Sequence, residues 1–132
     1  MTQEVAGGVV LDASAVLALV NREPGAATVL EAMPNAIVST VNWSEVLQKA
    51  LRAGAYPQAA IRLRAAGLRL TSFDADDADA AARLWETTRT SGLSFADRAC
   101  IVTASRLGLP VWTADKRWTT INGLPAEVVL IR

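Results

Sequence analysis

The sequence contains no histidine, and Cys100 is its single cysteine. Without histidine, no side chain has an ordinary pKa near neutrality, so the chain can form neither a Ser-His-Asp triad nor a histidine-containing zinc site. One cysteine can form neither an intrachain disulfide nor a cysteine-rich zinc site. Carboxylates are therefore the main side chains left for demanding chemistry.

The chain also lacks an excess of charge, because 13 basic residues balance 13 acidic ones. A protein that grips nucleic acid through its overall charge is usually strongly basic, so we expect any RNA contact to depend on local patches or bound metal. The hydrophobic fraction is 52% over 132 residues. This composition predicts one domain over residues 1–132, with residues 1–7 as a flexible N-terminal extension.

The apolar stretch over residues 5–20 lacks the features of a signal peptide or a membrane span. It contains Asp12 and two glycines, and no basic residue precedes it. A signal peptide begins with a basic region, and a membrane span needs roughly 20 apolar residues. We therefore interpret the stretch as a strand followed by a helix, and we expect a cytoplasmic protein without membrane contact.

Short apolar segments alternate with helix-favouring segments along the chain. Segments 8–11, 36–39, 68–73, 111–113 and 128–131 are predicted to be strands. Segments 13–20, 26–33, 44–53, 57–66, 74–88 and 94–107 are predicted to be helices or helices with their caps. Alternation of this kind predicts an α/β protein, a three-layer α/β/α sandwich with a central, mainly parallel sheet.

Four acids, Asp12, Glu45, Asp97 and Asp115, follow predicted strands or lie near the starts of predicted helices. In an open α/β sheet, ligands bind in the crevice beyond the carboxyl ends of the strands. We expect the four acids to meet at that edge. Ser14 and Thr113 are expected nearby, where their hydroxyls could orient an acid or a water.

Each acid also has a purely structural explanation. Asp12 can cap the helix that follows it, and Asp115 can be an ordinary turn residue. Segments 42–45 and 94–97 both fit the capping-box pattern, in which the fourth side chain bonds back to the cap residue. Capping does not require all four acids to face one edge, so their joint placement distinguishes the two interpretations.

Carboxylates that meet in this way repel one another, which raises their pKa values in the metal-free protein. A divalent cation removes this penalty, and Mg²⁺ suits a site made only of oxygen ligands. One or two such ions can polarise a phosphodiester and activate an attacking water without any histidine. The four acids are therefore predicted to be both catalytic residues and metal ligands.

The segments that carry these acids resemble the motifs of PIN-domain nucleases. They are VVLDASA at 9–15, Glu45 in an early helix, LSFAD at 93–97 and TAD at 113–115. Their order and spacing are most similar to those of VapC-type toxins from type II toxin–antitoxin systems, over about residues 9–130. Trp118 stands where that family commonly has phenylalanine, and either ring can fill the core beside the site.

The resemblance implies a PIN-like sandwich, usually dimeric, with Mg²⁺- or Mn²⁺-dependent endoribonuclease activity. It assigns metal binding to Asp12, Glu45, Asp97 and Asp115, with Ser14 and Thr113 in support. It also implies a cognate VapB-type antitoxin that blocks the site, often with a basic side chain from its C-terminal tail.

Two other functions fit parts of the sequence. A housekeeping RNA-processing nuclease of the same fold would carry the same acids. A phosphoacceptor signalling domain would have a second acid beside Asp12 and a late lysine at a strand end. Asp12 has no acidic neighbour, and Lys116 is the only late lysine.

The segment 46–73 has five basic residues and no acid. It is either a set of solvated helix faces or a track for RNA or a partner. Arg52 and Arg62 from this segment, with Lys116 and Arg117, are the candidate RNA- or partner-binding residues. Of the aromatic residues, Tyr56 and Trp118 are expected to be exposed, and Trp43, Trp85 and Trp112 to anchor the core or an interface.

Overall fold

The computed structural model describes residues 7–132, so most of the expected N-terminal extension, residues 1–6, lies outside the described part of the chain. Five strands form a single sheet in the order β3-β2-β1-β4-β5, and every neighbouring pair is parallel. The prediction of a mainly parallel sheet is confirmed. The strands are β1 (Val9–Leu11), β2 (Ala36–Ser39), β3 (Arg69–Thr71), β4 (Val111–Thr113) and β5 (Val128–Leu130).

Six α-helices connect the strands within residues 7–132, together with two 3₁₀ segments at Met33–Asn35 and Lys116–Thr120. None of the helices in this range is long and apolar enough to cross a membrane. The helices are α1 (Ala13–Val20), α2 (Ala26–Ala32), α3 (Thr40–Arg52), α4 (Tyr56–Ala65), α5 (Ala75–Thr88) and α6 (Phe95–Leu107).

The helices cover both faces of the sheet, and this produces two hydrophobic cores. Because successive side chains of a strand point to opposite faces, Val9 and Leu11 pack into the core beneath α1 to α4. Val10, between them, packs into the core beneath α5 and α6. The three-layer α/β/α sandwich predicted from the sequence is therefore confirmed.

Helix α3 begins earlier than predicted, at Thr40 rather than near Ser44. Ser39, the last residue of β2, is its N-cap and accepts a hydrogen bond from the backbone N–H of Val41 at 3.2 Å. The capping box expected over residues 42–45 is therefore wrong. The first turn contains weak helix formers, but the hydrogen bond from the Asn42 amide to the Ala96 carbonyl holds it against that local preference.

One expectation about tryptophan exposure is corrected. Trp118 is 1% exposed and belongs to the core beneath α5 and α6, so the prediction that it is exposed is wrong. Trp85, predicted to anchor the core or an interface, is 48% exposed on α5 and so lies outside the core, with the guanidinium of Arg89 5.8 Å from its ring centroid. Local sequence does not distinguish a core ring from a surface ring when both lie in polar segments.

Candidate active site

A cleft of about 330 Å³ opens at the carboxyl edge of the sheet, and all four predicted acids line it. We call it the acidic cleft, defined by Asp12, Glu45, Asp97 and Asp115. Four different elements deliver them: the end of β1, helix α3, the first turn of α6 and the loop after β4. Ser14 and Lys49 also line the cleft. The parallel topology explains this meeting, because the carboxyl ends of the strands share one edge.

Asp12 is the most buried of these acids, with 4% of its surface exposed. Its Oδ1 accepts hydrogen bonds from the Ser14 hydroxyl at 2.7 Å and from the backbone N–H of Ala15 at 2.8 Å. Its Oδ2 accepts one from the Thr113 hydroxyl at 2.5 Å. A carboxylate has about four acceptor positions, so one remains at Oδ2.

Ser14 and Thr113 are held by the backbone of the loop after β4. The Ser14 hydroxyl accepts from the N–H of Ala114 at 2.9 Å, and the Thr113 hydroxyl accepts from the N–H of Asp115 at 3.0 Å. The two hydroxyl oxygens lie 3.3 Å apart. Both hydroxyls therefore have little freedom to rotate away from Asp12.

Burial raises the pKa of Asp12 from 3.8 to about 6. The hydrogen bonds from Thr113, Ser14 and the Ala15 N–H oppose this effect, and the charge of Asp97 adds to it slightly. Repulsion among the acids was expected to be the main cause, but desolvation is larger. At pH 7 the buried carboxylate carries a charge that the protein alone stabilises poorly.

Glu45 lies in the second turn of α3 and is held by a neighbour on the same helix. The side-chain amide of Asn42 donates to Oε1 of Glu45 at 3.1 Å. It also donates to the backbone carbonyl of Ala96, next to Asp97, at 3.0 Å. Sequence analysis did not identify Asn42 as a site residue, because its spacing from Glu45 was interpreted as a capping box.

Asp97 forms the capping box that the sequence predicts at the start of α6. Its Oδ2 accepts from the N–H of Ser94 at 2.9 Å, and the Ser94 hydroxyl accepts from the N–H of Asp97 at 3.1 Å. The structural explanation of Asp97 is thus correct, and Asp97 also lines the acidic cleft.

Asp115 is paired with Arg117. The Arg117 guanidinium donates to both carboxylate oxygens, with the shortest contact, Nη2 to Oδ2, at 2.6 Å. This side chain is the main cause that lowers the pKa of Asp115 below 3.8. The expectation that repulsion raises the pKa of every acid in the cleft is therefore wrong for Asp115.

As placed, no three acidic or thiol side chains within residues 7–132 are arranged to hold one metal ion. Hydrogen bonds hold two of the acids in other positions, because Ser94 bonds Asp97 and Arg117 bonds Asp115. Burial raises the pKa of the Cys100 thiol, and the charges of Asp12, Asp97 and Glu45 add to this effect, so all three acids lie near enough to act on the same group.

The four candidate RNA- or partner-binding residues lie in different places. Arg117 pairs with Asp115 at the cleft, and Lys116 is exposed beside it. Arg52 is exposed in the last turn of α3. Arg62 lines a separate, mainly apolar groove rather than the acidic cleft.

Two residues distant in sequence, Glu23 and Arg132, also line the acidic cleft. Nη1 of Arg132 donates to Oε1 of Glu23 at 3.3 Å and to the carbonyl of Pro24 at 3.0 Å. Sequence analysis did not find this pair, and no local motif identifies it.

The model of the PIN domain family matches residues 9–124, which include all four acids. The chain belongs to the PIN domain family. This membership confirms the family resemblance drawn from the sequence motifs and gives no support to a phosphoacceptor domain. No curated protein matches the chain.

Several solved structures share this PIN fold. A toxin–antitoxin complex from Klebsiella pneumoniae has 21% identity and a TM-score of 0.76, covering 95% of this chain and 98% of that one. DNA-bound VapBC from Salmonella typhimurium has 14% identity and a TM-score of 0.73, with 95% and 98% covered. VapBC-5 from Mycobacterium tuberculosis has 23% identity and a TM-score of 0.56, with 96% and 98% covered.

Proposed function

We propose that this PIN domain is a VapC-type toxin, a Mg²⁺- or Mn²⁺-dependent endoribonuclease controlled by a VapB-type antitoxin. The observation that carries the proposal is the acidic cleft, in which four acids from four elements meet at the carboxyl edge of the sheet. Asp12 and Asp97 can be explained singly as capping residues and Asp115 as the partner of Arg117, but neither capping nor an ion pair accounts for Glu45. Capping and pairing do not explain why all four acids line one cleft of a PIN domain.

The residues of the cleft suit a hard divalent cation. All four candidate ligands are carboxylates, and Mg²⁺ is usually held by only one or two of these with several waters retained. Asp12 has an acceptor position left at Oδ2, and Glu45 has one oxygen that Asn42 does not bond. Asp12 and Glu45 would therefore hold the ion first, with Asp97 and Asp115 joining as their present bonds open. A bound divalent ion supplies Lewis acidity toward a phosphodiester.

The protein's own side chains orient the acids and attract the substrate. Thr113 and Ser14 fix the rotation of the Asp12 carboxylate, so that its free acceptor position keeps one direction. Lys49 and Arg132 place positive charge on the wall of an otherwise acidic cleft. These two cations would contact RNA phosphates on either side of the cleaved bond.

RNA cleavage by purified protein tests the catalytic assignment. With Mg²⁺ or Mn²⁺, the wild-type chain is expected to cut cellular RNA, and mapping the new ends identifies the substrate. Asp12→Asn and Asp97→Asn are each expected to abolish cleavage while circular dichroism shows a retained fold. Asp79→Asn is the matched control, because Asp79 is exposed on α5 and pairs only with Arg83. Full activity of either cleft variant would exclude the assignment.

The antitoxin is proposed to occupy a second groove between α1, α2 and α4. Leu19, Val20, Leu30 and Leu63 line this groove, which has a volume of about 350 Å³, with Arg22 and Arg62 beside them. Leu30 is 56% exposed, a costly surface for an isolated domain. An apolar antitoxin segment flanked by acidic residues would complement both features, and a basic residue further along it would reach the acidic cleft.

Inhibition by a VapB-type antitoxin, sought in the reading frame next to this gene, tests that groove. Leu30→Glu is expected to raise the antitoxin concentration needed for half-inhibition by at least about tenfold, while RNA cleavage stays unchanged. Trp85→Glu is the control, since Trp85 is 48% exposed on α5, which covers the other face of the sheet. Equal effects of the two variants would rule out the groove.

We further propose that the chain forms a homodimer, as the family resemblance implies. Large exposed apolar side chains on α3 and α4, including Leu51 and Ile61, offer a surface for it. Sedimentation equilibrium at micromolar concentration is expected to give twice the chain mass of 14.0 kDa. A single species at the chain mass would contradict dimerisation.

A further inference from the structure

Asn42 is a buried polar residue that directly contacts a candidate ligand of the proposed active site. It is 1% exposed, in the first turn of α3. Its amide nitrogen donates to Oε1 of Glu45 at 3.1 Å and to the carbonyl of Ala96 at 3.0 Å. Both hydrogens of the amide are therefore donated, one to Glu45 on α3 and one to Ala96 on α6.

The orientation of this amide follows from its partners. A carboxylate and a carbonyl are both acceptors, so only the nitrogen can face them. The amide oxygen of Asn42 is buried and has no hydrogen-bond partner among the described residues. A buried acceptor without a partner costs free energy. The arrangement is therefore retained against a local penalty.

The two buried threonine hydroxyls of α5 and α6 make a different kind of contact. The hydroxyl of Thr103 donates to the Ala99 carbonyl, and that of Thr88 donates to the Leu84 carbonyl, each four residues earlier in its own helix. Such bonds do not connect one helix to another. Asn42 instead joins α3 to α6 beside Asp97, across 54 positions of sequence.

We propose that Asn42 is a positioning residue that fixes the Glu45 carboxylate relative to the first turn of α6, and hence to Asp97. The inference rests on the proposed metal-dependent function and names a residue through which the metal site is assembled. Without Asn42, Glu45 is free to take other rotamers, and the contact between α3 and the start of α6 is lost. Partners that orient metal ligands typically change metal affinity by ~10- to 100-fold when removed.

A double-mutant cycle on Mn²⁺ binding, measured by calorimetry, tests this inference. The proteins are the wild type, Asn42→Ala, Glu45→Gln and the double variant, with Thr103→Val as a control for loss of a buried hydrogen bond. Asn42→Ala is expected to weaken Mn²⁺ binding about tenfold or more in the wild-type background and by less than about twofold when Glu45 is already replaced. Thr103→Val is expected to leave Mn²⁺ affinity unchanged.

Asn42→Ser provides a second variant that keeps one donor, in case Asn42→Ala does not fold. If Asn42→Ala folds, Asn42→Ser is expected to bind Mn²⁺ with an affinity between those of the wild type and Asn42→Ala. If only Asn42→Ser folds, it is expected to bind Mn²⁺ more weakly than the wild type. Wild-type affinity in these variants, or an equal loss with and without Glu45, would overturn the role of Asn42 alone. Absence of Mn²⁺ binding by the wild type would overturn the proposed function and this inference with it.

Discussion

The hydroxyl of Thr113 donates a 2.5 Å hydrogen bond to Oδ2 of Asp12, which lies 101 positions earlier in the chain. The bond joins the end of β4 to the end of β1, at a point where both residues are buried. Since it serves a charged acceptor that is almost fully buried, it stabilises both the sheet edge and the orientation of the acid.

Replacing Thr113 with valine removes this donor at nearly constant shape. The free energy of unfolding at pH 7 is expected to fall by about 2 kcal/mol, because hydrogen bonds to charged groups contribute about 1.5–3 kcal/mol. Thr103→Val, which removes a buried bond to a neutral carbonyl, is expected to cost about 1 kcal/mol. Urea unfolding of both variants measures the difference, and a smaller loss for Thr113→Val would contradict a charged Asp12.

Asp12 is also expected to control the pH dependence of stability in the metal-free protein. Its folded pKa of about 6 lies above its ordinary value of 3.8, so between these values the folded state retains a proton that the unfolded state has released. The free energy of unfolding therefore decreases as pH rises from about 4 to 6, and the penalty is fully present above that range. From the shift, the penalty is about 3 kcal/mol.

The variant Asp12→Asn lacks the titration of Asp12. Comparison of this variant with the wild type therefore separates the effect of Asp12 from the effects of the other carboxylates. The difference in stability, variant minus wild type, is expected to increase by about 2 kcal/mol between pH 4 and pH 6.5 in the presence of a chelator. Denaturant unfolding across this pH range measures it. A difference that does not change with pH would show that Asp12 titrates as an ordinary surface acid.

Arg117 is expected to compete with a metal ion for Asp115. Its guanidinium bonds both carboxylate oxygens, so Asp115 can join a metal site only when this pair opens. Arg117→Gln is expected to raise Mn²⁺ affinity about two- to fivefold, a modest gain because the pair is partly exposed. Lys116→Gln removes a neighbouring exposed charge and is expected to have a smaller effect. Weaker Mn²⁺ binding by Arg117→Gln would instead show that Arg117 supports the site.

The sequence predicted those parts of the structure that local signals determine. Asp12 as an N-cap, β2 over Ala36–Ser39 and the capping box of Ser94 and Asp97 follow from patterns within a few residues. The shared edge of the four acids followed from the alternation of strands and helices, because parallel strands bring their carboxyl ends together.

Other features depend on contacts between distant segments and could not be predicted in this way. The pairing of Arg132 with Glu23 spans 109 positions, and the bond from Asn42 to Ala96 spans 54. The early start of α3 is supported by that bond from Asn42, which forms only when α3 packs beside α6. The pKa of Asp115 was predicted with the wrong sign because the engagement of Arg117 was not considered.

The central claim is that the acidic cleft binds a divalent metal ion, and Mn²⁺ titration by isothermal calorimetry tests it most directly. The wild-type protein at pH 7.5 is expected to bind Mn²⁺ with saturable heat, and Asp12→Asn to lose this binding. Asp79→Asn, with its acid on the exposed face of α5, is expected to match the wild type. Absence of Mn²⁺ binding by the wild type, or unchanged binding by Asp12→Asn, would contradict the account.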